Sequence, residues 1–204
     1  RFTADAVGGS QGTVAENVIV SGLLDRFSYS VGQFHFDSDG IRANNDIGQN
    51  IYDVFVQGAV TATTSAQAEV RHAASEHGDR RLLFDPGTFG SDQRSTFDTT
   101  SVRVGGRHTL GPGAVVIGYY AYHDFESDFR TSSVFHALQD ERAGFAEIRY
   151  IREATFLNVT AGAGHYRGER GETLTIESEQ LPSATFPVRH TNGYVYADFK
   201  PVTP

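Results

Sequence analysis

The sequence predicts an all-β chain, an antiparallel up-and-down transmembrane β-barrel seen in part. Three observations lead there: strand-length segments whose polarity alternates with period two, tight turns that alternate with long polar connections, and the lack of any stretch long and apolar enough for a spanning helix. The longest run without Asp, Glu, Lys or Arg is 108–123, which contains Gly111-Pro112-Gly113 and falls short of the ~18 apolar residues a helix would need. Any crossing of a membrane must use strands.

Composition agrees. Of the 204 residues 12% are aromatic, all Phe or Tyr, and 22 glycines are spread along the chain, a usage that suits strands and turns better than helices. Cysteine is absent, which removes disulfides, thiolate metal sites and cysteine nucleophiles together. A net charge of −8 disfavours nucleic acid, whose binding proteins need a basic footprint. The start, RFTADAVGGSQG, lacks a charged segment followed by an apolar one, so a signal peptide is either missing or lies upstream. The whole of 1–204 reads as a single barrel segment truncated at both ends.

Turn signals set the frame. Tight turns are expected at Leu23–Arg26, Thr61–Ser65, Gly111–Gly113, Arg152–Thr155 and Pro201–Pro204. Longer polar connections are expected at Asp37–Gln49, Glu76–Phe97, Glu126–Glu141 and Gly168–His190. Between them alternation is plain. In 143–151, Ala146, Ile148 and Tyr150 oppose Phe145, Glu147 and Arg149; in 100–108, Val102 and Val104 oppose Ser101, Arg103 and Arg107. In 66–72, Ala68 and Val70 oppose Gln67, Glu69 and Arg71, and in 192–200, Val195, Ala197 and Phe199 oppose Asp198 and Lys200. Residues 27–36 change phase around Gly32, a position that suits a β-bulge. Nine strands result: 14–22, 27–37, 49–61, 66–77, 98–110, 114–126, 142–152, 156–168 and 190–200. Bacterial barrels close with an even number, so the run from Lys200 to Pro204 reads as a turn into a tenth.

The runs FSYSVGQFHFDSDGIRANND (27–46), NIYDVFVQGAVTATTSAQAEVRH (50–72) and GYVYADFKPVTP (193–204) resemble the barrel half of large bacterial outer-membrane proteins that carry tetratricopeptide repeats ahead of the barrel. The likeness lies in texture and turn placement. It implies an outer-membrane location in a Gram-negative envelope, periplasmic tight turns, extracellular long loops, and a part in transport or export.

One set of residues stands out as lumen-lining: Glu69, Arg71, Arg103, Arg107, Glu147, Arg149, Asp198 and Lys200. Mixed charge on one strand face can line a water-filled pore, or it can be a solvated sheet face with cross-strand ion pairs. Adjacent strands could set Glu69 near Arg103. Asp37-Ser38-Asp39-Gly40 with Asn44, Asn45 and Asp46 offers oxygen ligands of the kind Ca²⁺ uses, but the third ligand and closing Glu of an EF-hand are missing, and an ordinary polar loop accounts for it. Asp124, Glu126 and Asp128 alternate at a strand end and read as a charged rim. The eight histidines are dispersed without metal-binding spacing, and no serine-hydrolase or dinucleotide motif occurs.

The expected function is therefore a porin-like barrel that transports or exports a polar solute or polymer through its lumen. A plugged barrel or a soluble β-sandwich, either displaying loops for binding or adhesion, is the alternative. An enzyme is not expected, nor a cofactor or a metal. The expected partners are outer-membrane lipid, the unidentified solute or polymer, and the barrel-assembly machinery.

Overall fold

In a computed structural model the described residues are 1–81, 89–132 and 134–200. They form β1 (Phe2–Gly8), β2 (Val14–Leu24), β3 (Phe27–Ser38), β4 (Ile47–Ala59), β5 (Thr64–His77), β6 (Arg94–Gly111), β7 (Ala114–Thr131), β8 (Phe135–Glu153), β9 (Leu157–Ile176), β10 (Glu179–Gln180) and β11 (Ala184–Phe199). All belong to one antiparallel sheet in which each strand pairs with the next as far as β9. Both β10 and β11 then pair with β9, so they are consecutive pieces of one returning strand. Among the described residues there is no helix.

Four sequence expectations change. The strands number eleven, because Phe2–Gly8 pairs with β2 and β10 precedes β11. Two of the expected long connections are largely strand: β7 and β8 pair up to Thr131 opposite Phe135, and β9 with its return runs up to Ile176. Gly32 carries no bulge, since it sits in continuous register between Ile19 and Asp53; register shifts instead between Thr109 and Gly111. A sandwich is absent, because every described strand lies in a single sheet. The Pro201–Pro204 turn lies outside the described residues.

Cross-strand partners share a face, so the register assigns every side chain to one of two. On the first face, Tyr29, Val31, Val54, Val56, Ala68, Val70, Val102, Val104, Tyr120, Tyr122, Ala146, Ile148, Ala161 and Ala163 form a continuous band without a charged residue. These side chains are open: Val70 is 47% exposed and Ile148 59%. On the second face the Glu69 side chain is 25% exposed and that of Glu147 only 12%. These two carboxylates are more enclosed than the apolar band, while Arg71, Arg103, Arg107, Arg149 and Asp198 of the same face are exposed; the apolar face lies open, where a water-soluble sheet would cover it. Of the apolar residues described, only Ala114 and Ala143 are buried, so the fold rests on the hydrogen-bond ladder and not on a core.

Toward the long-loop end this arrangement inverts. Beyond Tyr122 the first face of β7 carries Asp124, Glu126, Asp128 and Arg130, while the second carries Phe125 and Phe129. The same exchange occurs in β3, where Tyr29 and Val31 give way to His35 and Asp37 with Phe34 and Phe36 opposite, and in β6, where Asp98 and Arg94 follow Val102 while Phe97 turns to the second face. The phase change read near Gly32 is this inversion, which needs no extra residue. From Arg142 to Arg152 the first face of β8 holds only Gly144, Ala146, Ile148 and Tyr150, a span of ten residues or about 33 Å along a tilted strand. That matches a transmembrane strand's length.

Glycines on the first face hold neighbouring aromatics. A Cβ on Gly58, opposite Phe27, would meet the Phe27 ring at 2.2 Å, so the ring covers the glycine backbone. Gly58→Val is expected to displace Phe27 and cost about 1–3 kcal/mol. Gly111→Ala, with no atom within 4 Å of the added Cβ, should stay within about 0.5 kcal/mol. Urea unfolding in micelles checks the contrast, and equal midpoints would contradict it.

Candidate functional site

Seven of the eight predicted lumen-lining residues fall on the second face by register, and Lys200 follows directly on β11. Glu69 and Arg103 are exact partners across β5 and β6, with Arg103 Nη2 donating to Glu69 Oε1 at 2.5 Å. Glu147 and Arg149 are joined along β8, Arg149 Nη2 donating to Glu147 Oε1 at 2.8 Å. Arg71 lies opposite Asp53 and Ser101, and Arg107 opposite Ser65 and Ile117; neither makes an ion pair among the described residues. Asp198 faces Asn158, and the Lys200 backbone N donates to Phe156 O at 3.0 Å. The set is therefore two ion pairs and four separate groups distributed over one wall.

The densest polar cluster is built around Glu147. Besides Arg149 it accepts from Tyr194 Oη, and from Tyr119 Oη at 3.3 Å. Arg149 Nε donates to Tyr194 Oη at 2.9 Å, and its guanidinium lies 5.8 Å from the Tyr194 ring centre. Tyr194 belongs to β11 and Glu147 to β8, so the tyrosine must reach across β9. Gly162, its partner in register, leaves the passage open: a Cβ there would meet the Tyr194 ring at 2.5 Å. Sequence reading missed both tyrosines. A tyrosine at a period-two position within a stretch opposite glycine-rich β9 was the available signal, and only the register makes it readable.

One level nearer the loops, Glu141 of β8 accepts from Tyr166 Oη at 2.9 Å and contacts His123 Nε2 at 3.0 Å. Above these the second face turns aromatic. His77, Phe97 and Phe125 of β5, β6 and β7 stack in a diagonal with ring centres 5.7 Å and 6.4 Å apart, and Phe129 meets Phe135 at 5.9 Å. This belt was also missed, because Phe97, Phe129 and Phe135 lie in segments read as loop.

The connection after β5 is tied to the one after β3 at a buried aspartate, whose carboxylate holds its own connection and whose backbone carbonyl accepts from the other. Asp79 is fully buried. It accepts from Arg81 N at 2.9 Å, Arg81 Nε at 3.0 Å, Arg81 Nη2 at 2.9 Å and Gly90 N at 2.7 Å. Arg42 Nη2 and Asn45 Nδ2 donate to Asp79 O at 2.9 and 2.8 Å, while Asn44 Nδ2 donates to Gly90 O and Gln93 O. Asp46 is engaged by Arg94. The asparagines and aspartate considered as calcium ligands thus serve to join two loops. Asp124, Glu126 and Asp128 share the first face of β7, as a rim requires, and Asp128 is held by Arg130 and His136.

The Arg81 side chain and the Gly90 and Arg81 amides hold the Asp79 carboxyl well below the ordinary carboxylate range. A depressed value means that the ionised form stabilises the joint at neutral pH, and that this contribution is lost as pH falls below about 4. Hydrogen exchange at the Arg81 and Gly90 amides, corrected for intrinsic rate, should stay slow from pH 7 to about pH 4 and quicken below it. Asp79→Asn should already be fast at pH 7. Unchanged protection in that variant would contradict the assignment.

No protein-family model and no curated protein matches this sequence. Solved structures do. The crystal structure of the siderophore receptor PiuA from Acinetobacter baumannii aligns with a TM-score of 0.68 over 95% of this chain and 39% of that one, at 8% identity. The ferric citrate transporter FecA in its unliganded form aligns with a TM-score of 0.62 over 97% of this chain and 34% of that one, at 11% identity. The chain spans well under half the length of either. The association with tetratricopeptide repeats draws no support from them. What the likeness shows is the fold: this chain has the antiparallel up-and-down architecture of a β-barrel wall.

Proposed function

We propose that the chain forms part of the wall of an outer-membrane transport barrel, with its first face against lipid and its second toward a lumen that admits a polar solute. One observation carries this reading: an uncharged apolar band lies open on the first face over a strand length that fits a bilayer, charge at that level is confined to the second face, and the polarity inverts in β3, β6 and β7 beyond it. In lipid an uncovered sheet edge is costly, because each unpaired backbone group loses several kcal/mol; the outer edges of β1 and β11 are therefore paired in the assembled protein. Insertion of such a wall calls for outer-membrane lipid and the barrel-assembly machinery as partners. The aligned proteins are a siderophore receptor and a ferric citrate transporter, which supports a transport role here without naming the solute.

In this reading Glu69, Arg71, Arg103, Arg107, Glu147, Arg149, Asp198 and Lys200 line the lumen. Mixed charge of this kind sets which ions enter. A second reading, a plugged barrel that displays its loops, is favoured by the joint at Asp79, which orders the loop end as a binding surface needs.

Conductance of the protein in planar bilayers separates the two. An open lumen gives discrete channels, and reversal of the unpaired arginines in Arg71→Glu/Arg107→Glu should shift selectivity toward cations. Silence at every voltage would overturn the open lumen and favour the loop-displaying barrel.

A further inference from the structure

A like-charge contact without an ion-pair partner lies on the first face at the border of its apolar band. Arg167 of β9 and Arg189 of β11 are direct cross-strand partners, both exposed, at the edge of the apolar band. Neither makes an ion pair among the described residues. Like charges in this position destabilise a sheet. They become favourable when an anion sits between them, and the planar guanidinium fork matches a phosphate.

The surroundings are shaped for such a group. A depression of about 400 Å³ opens beside Arg167, walled by Tyr120, Tyr122, Arg142 and His165, with Gly144 beneath. Arg142 lines the depression and stands between Asp124, whose Oδ2 lies 3.3 Å from Arg142 Nε, and Glu169. His165 Nδ1 contacts Thr191 Oγ1 at 2.7 Å. Glu169 also lines the depression, and Asp98, Glu126 and Asp140 occupy one row further toward the loops. These carboxylates confine an anion to the level of the arginine pair.

Directly below on the same face lies a second depression of about 650 Å³, lined by Val116, Ile148, Tyr150, Ala161, Ala163 and Val195. The register orders the two: Gly144–Arg167–Arg189, then Ala146–His165–Thr191, then Ile148–Ala163–Gly193, then Tyr150–Ala161–Val195. In the lower two rows Ala163 and Ala161 of β9 lie beside the larger Ile148 and Tyr150 of β8, with Val195 of β11 across from Ala161, which leaves a hollow along β9. An anion site thus continues into an apolar trough, the shape of an amphiphile.

Resting on the proposal that this face meets lipid, we infer that the outward face of β8, β9 and β11 docks an anionic lipid whose headgroup is a phosphate not neutralised by a cation of its own. Arg167 and Arg189, with Arg142, clamp the phosphate, and an acyl chain lies in the trough below. A free phosphate could use only the upper half and a neutral lipid only the lower.

The test uses the full chain in neutral detergent micelles carrying dioleoyl phosphatidic acid or dioleoyl phosphatidylcholine, with bound lipids counted by native mass spectrometry. Phosphatidic acid should be retained about ten-fold more tightly than phosphatidylcholine, and Arg167→Gln/Arg189→Gln should remove that preference while leaving heat-modifiable gel mobility unchanged. Equal retention of the two lipids, or undiminished preference in the double variant, overturns the inference. Displacement of phosphatidic acid by millimolar inorganic phosphate would identify free phosphate as the ligand and overturn it also. Folding in plain buffer without micelles would remove the transport proposal itself, whereas folding only in micelles with no lipid preference would remove this inference alone.

Discussion

The structure depends on register. Side chains alternate with period two, so a slip of one residue between neighbouring strands would carry Glu69, Arg103 and Glu147 into the band occupied by Val70, Val102 and Ile148. With Ala114 and Ala143 the only buried apolar residues described, no core exists to correct such a slip. The ladder runs without interruption from β2 to β5, and the shift at Thr109/Gly111 falls beside the β6–β7 turn, where the cost to the band is least. Short turns at Asp25-Arg26 and Pro112-Gly113 hold the phase from one strand to the next, and left-handed backbone at Asp25 and Gly113 closes them in the few residues available.

From that register follow two environments stacked along each strand. Over the band, apolar side chains occupy the first face and charge the second; beyond Tyr122, Val102 and Val31, charge takes the first face and phenylalanines the second. On the proposed reading the lower part meets hydrocarbon and the upper part water. The Glu147 cluster belongs to the lower part, where an enclosed carboxylate requires the partners that Arg149, Tyr119 and Tyr194 supply. The aromatic diagonal of His77, Phe97 and Phe125 belongs to the upper part, and Asp79 joins the loops above it. The arginine pair of β9 and β11 stands at the border.

Much of this was legible in the sequence where one rule held along a whole segment. The strands containing Ala68 to Arg71, Val102 to Arg107 and Ala146 to Tyr150 show unbroken alternation, and the charged face with its Glu69–Arg103 pair was read from them. The misreadings share a cause. At 126–141 and 168–190 both faces carry polar residues, because the second face keeps Gln139, Glu141 and Glu172 where the first carries Asp140, Arg142 and Glu169. Strand and loop then look alike. β1 was missed because Asp5, Gly8 and two alanines leave too weak an alternation. Asp79 and Tyr194 could not be found at all without the fold, since their partners lie across loops or beyond an intervening strand.

The central claim is that the apolar band of the first face meets lipid and ends where charge takes that face over, as it does in β3, β6 and β7. The chain has no cysteine, so single cysteines along β7, labelled with an environment-sensitive dye in reconstituted liposomes, report directly on lipid contact through quenching by nitroxide-bearing lipids. Labels at positions 116, 118, 120 and 122 should be quenched, labels at 117, 119, 121 and 123 should not, and quenching should end at Asp124 for either parity. Quenching at Ala121 and His123, or quenching that persists through Asp124, Glu126 and Asp128, would contradict it.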